Sequence, residues 1–196
     1  MRAIILSAGY GSRLGHFTKE IPKPMLRLHQ RPLLEYIIRN LVRCGITEIA
    51  INLHYKPEVI KNYFGDGSQL SCEIIYSYEP NLLGTAGGVK KIANFLGAEG
   101  TFLIHYGDVI TNQDFSLMLA YHKRHETLVT LLLHHRRRSN SIVILDDNRR
   151  IIDLLERPTK EERKNLNSPW VNSGIYICEP QLLDNIPADI ACDLPR

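Results

Sequence analysis

From Leu6 to Met25 the chain reads LSAGYGSRLGHFTKEIPKPM, and four residues in it have the chemistry to hold an anion: Gly9, Gly11, Arg13 and Lys23. Gly9 and Gly11, flanked by Ala8 and Ser12, let backbone N–H groups turn toward a ligand and approach it closely. Arg13 adds a planar fork of donors that suits phosphate oxygens. Lys23 stands between Pro22 and Pro24, whose rings restrain the backbone on both sides, so little main-chain freedom is lost when its ammonium meets a phosphate. The stretch is not a P-loop, because no G-K-[ST] follows at the required spacing. Nor is it the dinucleotide fingerprint, because Leu14 stands where G-x-G-x-x-G needs its third glycine. Hydride transfer thereby loses its main support. A second polar point is Gly107-Asp108, a carboxylate directly after a glycine and an apolar run.

These residues need a scaffold, and the pattern around them supplies one. Ala3-Ile4-Ile5-Leu6 is short, apolar and partly β-branched, which suits a buried strand, so the glycine loop leaves a strand end. Helices are expected over 33–44, with Pro32 before and Gly45 after, and from Pro57 to about Gly65. Two more are expected over 86–95, capped by Thr85, and over 114–125. Strands are expected over 46–53, 72–78 and 101–106, and then over 128–133, 142–145, 151–156 and 170–178. Strand alternating with helix implies crossover connections and a parallel sheet with helices on both faces. In such a sheet ligands bind at the carboxyl ends of the strands, where the Ala8–Arg13 loop and Gly107-Asp108 both fall.

Composition sets the limits. The 196 residues, 44% hydrophobic, can bury a full core. Cys44, Cys72, Cys178 and Cys192 form no C-x-x-C pair, which gives neither a zinc knuckle nor a disulfide framework. No run approaches the roughly 18 apolar residues of a membrane span, and the first residues lack the apolar core of a secretory signal. A soluble, cytoplasmic protein without a membrane partner is expected. The net charge of +3 is mild. The one basic run, His134-His135-Arg136-Arg137-Arg138, lies between two apolar segments and reads as the loop of a hairpin. It has no aromatic interleaving that would suggest a nucleic-acid partner.

Taken in order, the motifs resemble the signature of the sugar-phosphate nucleotidyltransferases, enzymes that join a nucleoside triphosphate to a sugar 1-phosphate. The likeness rests on Ala8-Gly9-x-Gly11-x-Arg13-Leu14, Thr18, Pro22-Lys23-Pro24-Met25, Gly84-Thr85-Ala86-Gly87-Gly88, Gly107-Asp108, Glu156-Arg157-Pro158 and Asn172-Ser173-Gly174-Ile175-Tyr176. It implies an α/β fold: a Rossmann-like, mostly parallel sheet carrying a strand-rich sugar-binding half, with 1–125 and 126–196 as the nucleotide and sugar-phosphate halves of one domain. It places Ala8, Gly9, Gly11, Ser12, Gly84, Thr85 and Gly87 around the nucleotide, with Arg13 on the leaving pyrophosphate. Lys23 would lie near the α-phosphate, and Asp108 would hold Mg²⁺. Glu156, Arg157, Asn172 and Gly174 would receive the sugar phosphate. The implied partners are the two substrates, and a homo-oligomer is compatible with the family.

The sequence departs from the family twice. Arg157 stands where the family usually has lysine, a planar fork in place of a point charge. The family's second magnesium aspartate, in a D-x-G-type motif, has no counterpart after Gly174, where the remaining acidic candidates are Glu179, Asp184, Asp189 and Asp193. This leaves either a shortened chain or an incomplete metal site. Two function classes are compatible with these residues: an active nucleotidyltransferase, and a nucleotide or sugar-phosphate binding module that regulates a partner. A molybdopterin or cytidylyl-type relative fits Glu156 and Asn172 less well. The Leu83–Gly87 segment resembles guanylyltransferases more than thymidylyltransferases, which favours GTP.

Overall fold

The computed structural model describes residues 1–136, 139–165, 168–188 and 190–194, without the side chains of Arg13, Lys164 and Asn165. In chain order the strands and helices are β1 (Ala3–Leu6), β2 (Arg27–Leu28), β3 (Arg31–Pro32), α1 (Leu33–Arg43), β4 (Glu48–Leu53), α2 (Pro57–Phe64) and β5 (Glu73–Tyr78). Then come α3 (Gly84–Lys91), α4 (Ala93–Gly97), β6 (Phe102–Tyr106), α5 (Phe115–His125), β7 (Val129–His135), β8 (Ser141–Leu145), β9 (Ile151–Glu156), α6 (Lys160–Asn165) and β10 (Trp170–Cys178). One six-stranded sheet runs β5-β4-β1-β6-β10-β7. Its first four strands are parallel, and β10 runs antiparallel to both its neighbours. Strands from both halves of the sequence therefore share one sheet.

Each central strand divides its side chains between the two faces with a period of two. Ala3 and Ile5 of β1, with Ile49 and Ile51 of β4, join a core with Leu34, Ile37, Ile38 and Leu41 of α1. Ile4, Ala50 and Ile104 face the other way, onto Ala86 and Val89 of α3 and Leu96 of α4. Both faces of β1 are buried, which is why its sequence is apolar without alternation. The α1 residues follow the spacing of one helical face, and Gly45 adopts a left-handed φ of 78° just beyond its end. Asp114 caps α5, its carboxylate accepting from the backbone N–H groups of Ser116 and Leu117.

Two expectations need correction. The segments around 128–133 and 142–145 do not form a hairpin. β7 pairs with β10 in the large sheet, whereas β8 pairs with β9 in a separate two-stranded ribbon, so residues 136–140 link two sheets. His134 and His135 belong to β7, and Arg137 and Arg138 lie outside the described residues. The helix expected over 86–95 is two helices, broken at Ile92 with φ −114° and ψ 27°. Thr85 lies inside α3 rather than capping it, because Gly84 already begins the helix.

The order of the strands decides where a ligand can enter. The chain passes from β1 outward through β4 to β5, then returns to place β6 on the other side of β1. The connections after β1 and β6 thus diverge and leave a crevice at the carboxyl ends of these two strands.

Candidate active site

At the carboxyl end of β1, the Ser7 N–H donates to Asn52 Oδ1 at 2.6 Å, fixing the point where the glycine loop departs. Gly11 has φ 66°, and a Cβ there would lie 3.0 Å from Thr18 Cγ2 and 3.1 Å from Lys23 Cβ, so both the turn and the neighbour require glycine. Thr18 closes the loop by donating its hydroxyl to Gly11 O at 3.1 Å. Gly9 has nothing within 4 Å of a would-be Cβ, so the protein leaves that side open. Lys23 begins a one-turn 3-10 helix with Pro24 and Met25 buried beneath it, and Pro22 sits extended before it.

The neighbouring strand brings the second group. The Gly107 N–H donates to Leu6 O at 2.8 Å, and a Cβ at Gly107 would lie 2.5 Å from Ser7 Oγ and 2.7 Å from Leu6 O. Only glycine lets the β6 end approach β1 this closely. Asp108, one residue on, forms an ion pair with Lys23 across 85 residues of sequence. Both partners are about one third exposed, so the pair adds little stability. It does hold an ammonium and a carboxylate at the same point of the crevice.

A cleft of roughly 760 Å³ lies over this point. Ala8, Gly9, Gly11, Lys23, Gly84, Thr85 and Asp108 line it, together with Arg157 and Asp193. A second cleft adjoins it, with Tyr106, Arg136 and Asn140 on the wall they share, and is lined by Glu156, Asn172 and Gly174. The crevice therefore continues from the glycine loop to the β10 residues.

Asn172 is the hub of the second cleft. Its Nδ2 donates to Glu156 Oε1 at 3.1 Å and to the Tyr176 hydroxyl at 2.6 Å, and its Oδ1 accepts from the Gly174 N–H at 2.7 Å. β10 breaks register between Asn172 and Tyr176, and Gly174 there has φ 71° with a would-be Cβ 2.7 Å from the Tyr106 ring. Burial raises the Glu156 carboxyl above its ordinary value; the Asn172 hydrogen bond and the Arg157 charge oppose this in part. Burial likewise raises the Tyr106 hydroxyl, against hydrogen bonds to Tyr176 and Thr85.

Some expected residues are placed differently. Ser12 is exposed and does not line the cleft, and the Arg13 side chain lies outside the described residues. Gly87 is buried behind the cleft, where a Cβ would meet Leu83 Cβ at 2.9 Å and Ile190 O at 3.0 Å. Arg157, grouped by sequence with Glu156, lines the first cleft and not the second. Among the acidic candidates, Glu179 pairs with buried His122 and Asp184 lines a separate hollow beside Lys90. Asp189 lies outside the described residues. Asp193 does reach the site: its Oδ1 accepts from the Thr85 N–H at 3.0 Å and lies 3.2 Å from the Thr85 hydroxyl. Cys192 O accepts from the Ala86 N–H, and a Cβ at Gly84 would lie 2.4 Å from that oxygen. Residues 192–193 thus cap the start of α3.

Asn52, Glu79, Tyr106 and Asn140 line the clefts although no motif marked them, and Arg136, expected in a hairpin loop, lines both clefts. Asn52 had one signal, a lone amide within the otherwise apolar stretch Ile49–Leu53 of its strand.

The donor set suits Mg²⁺. Among the described residues no group of three or more His, Cys, Asp or Glu forms a cage. Mg²⁺ nevertheless binds through one or two carboxylates when phosphates and waters complete its shell, and Asp108 offers one such carboxylate beside the glycine loop.

Comparison with known proteins agrees with this architecture. The chain is 34% identical over 208 residues to a UTP–glucose-1-phosphate uridylyltransferase of Synechocystis sp., covering 99% of this chain and 53% of the relative. It is 32% identical to a mannose-1-phosphate guanylyltransferase of Mycobacterium tuberculosis, covering 94% of this chain and 50% of that protein. It therefore spans about half the length of these curated relatives. Its fold superposes on the crystal structure of a putative glucose-1-phosphate thymidylyltransferase from Bacillus anthracis with a TM-score of 0.83 at 23% identity, covering 94% of this chain and 73% of that one. Residues 2–193 match the nucleotidyl transferase family, and the chain belongs to it.

Proposed function

We propose that the protein transfers a nucleotidyl group from a nucleoside triphosphate to a sugar 1-phosphate, releasing pyrophosphate. The observation that carries this reading is the continuity of the two clefts: one holds Gly9, Gly11, Lys23 and Asp108, the other Glu156, Asn172 and Gly174. Residues 1–125 then act chiefly as the nucleotide half and 126–196 chiefly as the sugar-phosphate half of one domain, with Arg157 and Asp193 of the second half reaching the first cleft.

The chemistry assigned to the residues is positioning and charge placement. A phosphate oxygen of the sugar 1-phosphate attacks the α-phosphorus in line, and pyrophosphate leaves from the opposite side with no covalent enzyme intermediate. Backbone N–H groups of the Ala8–Ser12 loop, with Arg13, bind the triphosphate tail. Lys23 and Arg157 would counter the negative charge that gathers on the two phosphates. Asp108 is the carboxylate that would hold Mg²⁺, which when bound neutralises charge on the phosphate oxygens. Glu156 accepts hydrogen bonds from sugar hydroxyls, Asn172 contacts the sugar, and Gly174 lets the backbone approach it.

The Leu83–Gly87 segment favours GTP, and the names of the two curated relatives frame the choice as GTP or UTP. A panel of triphosphates and sugar 1-phosphates, scored by pyrophosphate release and by binding of the same ligands, tests the reading. Release that requires both substrates supports it. Binding of both without release would instead identify a regulatory binding module.

A further inference from the structure

We propose that Asn52 and Glu79 are positioning residues: a buried amide–carboxylate pair that fixes the glycine loop and the start of α3 relative to one another. The proposal rests on the reading of this cleft as a nucleotide site. Asn52 lies near the end of β4 with 2% exposure, and Glu79, just past β5, is fully buried. Three hydrogen bonds run through the pair in series. The Ser7 N–H donates to Asn52 Oδ1 at 2.6 Å, Asn52 Nδ2 donates to Glu79 Oε1 at 2.7 Å, and the Leu83 N–H donates to Glu79 Oε2 at 3.1 Å. The first of these amides immediately precedes Ala8 and Gly9; the last immediately precedes Gly84 and Thr85. The two ends of the series thus adjoin two separate segments of the cleft lining, Ser7–Gly9 and Gly84–Thr85.

The surroundings make the series stiff. The Glu79 backbone N–H donates to Leu53 O at 2.8 Å, and its carbonyl lies 2.7 Å from His54 Nδ1. Gly88 packs onto the pair so closely that a Cβ would come 2.7 Å from Asn52 Nδ2 and 2.8 Å from Glu79 Oε1. Among the described residues, Glu79 has no cationic partner within ion-pair distance. Burying a carboxylate on neutral donors alone is costly, and an apolar pair of similar volume would serve stability better. What apolar residues could not do is accept at once from two backbone amides that belong to separate segments bordering the cleft.

An exchange of the two side chains tests this. In Asn52→Asp two carboxylates face each other, and in Glu79→Gln two amides compete, so each single variant loses one link of the series. In the double variant the carboxylate at position 52 accepts from Ser7 and from the amide at position 79, whose oxygen accepts from Leu83, and all three links return. Backbone hydrogen exchange over residues 7–13 and 83–88 reads the positioning directly, without ligand. Each single variant should exchange about tenfold faster in both segments, as loss of one buried hydrogen bond implies, and the double variant should return to within about threefold of the parent. Dissociation constants for GTP and UTP with Mg²⁺ should change in the same order. If the single variants fall in melting temperature with no selective change in these segments, or the double variant fails to fold or to restore protection, the proposal is overturned. If exchange shows the expected order but the parent protein binds neither triphosphate, the positioning pair stands and the nucleotide reading fails.

Discussion

Lys23 is the side chain on which the proposed transfer depends most, because its restrained backbone and its contact with Asp108 place an ammonium in the crevice before any phosphate arrives. Lys23→Ala should lower the transfer rate about a hundredfold, or about 3 kcal/mol, with the fold intact, as for loss of one preorganised charge donor. Steady-state rates with circular dichroism as a control check this; near-normal turnover would remove Lys23 from the reaction. Glu156 carries a different burden. Its raised carboxyl contributes stability that is complete below its ordinary value of 4.5 and is lost as pH rises through the higher folded value. Glu156→Gln keeps an oxygen for Asn172 and removes the charge, so its melting temperature should exceed the parent's near neutral pH, with the gain vanishing as pH falls toward 4.5. A variant less stable than the parent at neutral pH would contradict the burial argument.

At the scale of elements, the close approach of β1 and β6 sets the crevice, and Gly107 is the residue that permits it. Gly107→Ala should destabilise the protein by about 1–3 kcal/mol, the usual cost of overfilling a packed site, and lower nucleotide affinity as well. Denaturant melts and binding isotherms would show it, and an unchanged midpoint would mean that the strand ends part freely. Much of this level was legible in the sequence. The unbroken apolar run of β1 marked a strand covered on both faces, and Pro32, Gly45, Pro57 and Gly65 punctuated α1 and α2 where helix ends prefer them. Pairing was less legible, because hydropathy fixes which face of a strand is buried but not its partner; β7 and β8 therefore looked like one hairpin and belong to two sheets. Local motifs such as Pro22-Lys23-Pro24 reach the cleft, whereas Ser12 and Gly87, read from equally local motifs, do not line it. Contacts such as Asp193 with Thr85, 108 residues apart, leave no local pattern, and a lone Asn52 in a strand shows its role only once Ser7 and Glu79 surround it.

At the scale of the molecule, the sheet order β5-β4-β1-β6-β10-β7 brings residues from both halves of the sequence to two clefts that share Tyr106, Arg136 and Asn140. β10, which runs antiparallel to β6, carries Asn172 and Gly174 back toward the loop after that strand. Transfer of a group between two substrates bound in contiguous clefts is a stronger claim than binding of either one. The most direct test supplies GTP and UTP in turn, labelled at the α-phosphate, with Mg²⁺ and a panel of sugar 1-phosphates, and tracks the label. Label should enter a nucleotide sugar only when both substrates are present, with equimolar pyrophosphate. Label that stays in the triphosphate, or appears only as nucleoside monophosphate, would contradict the proposed transfer.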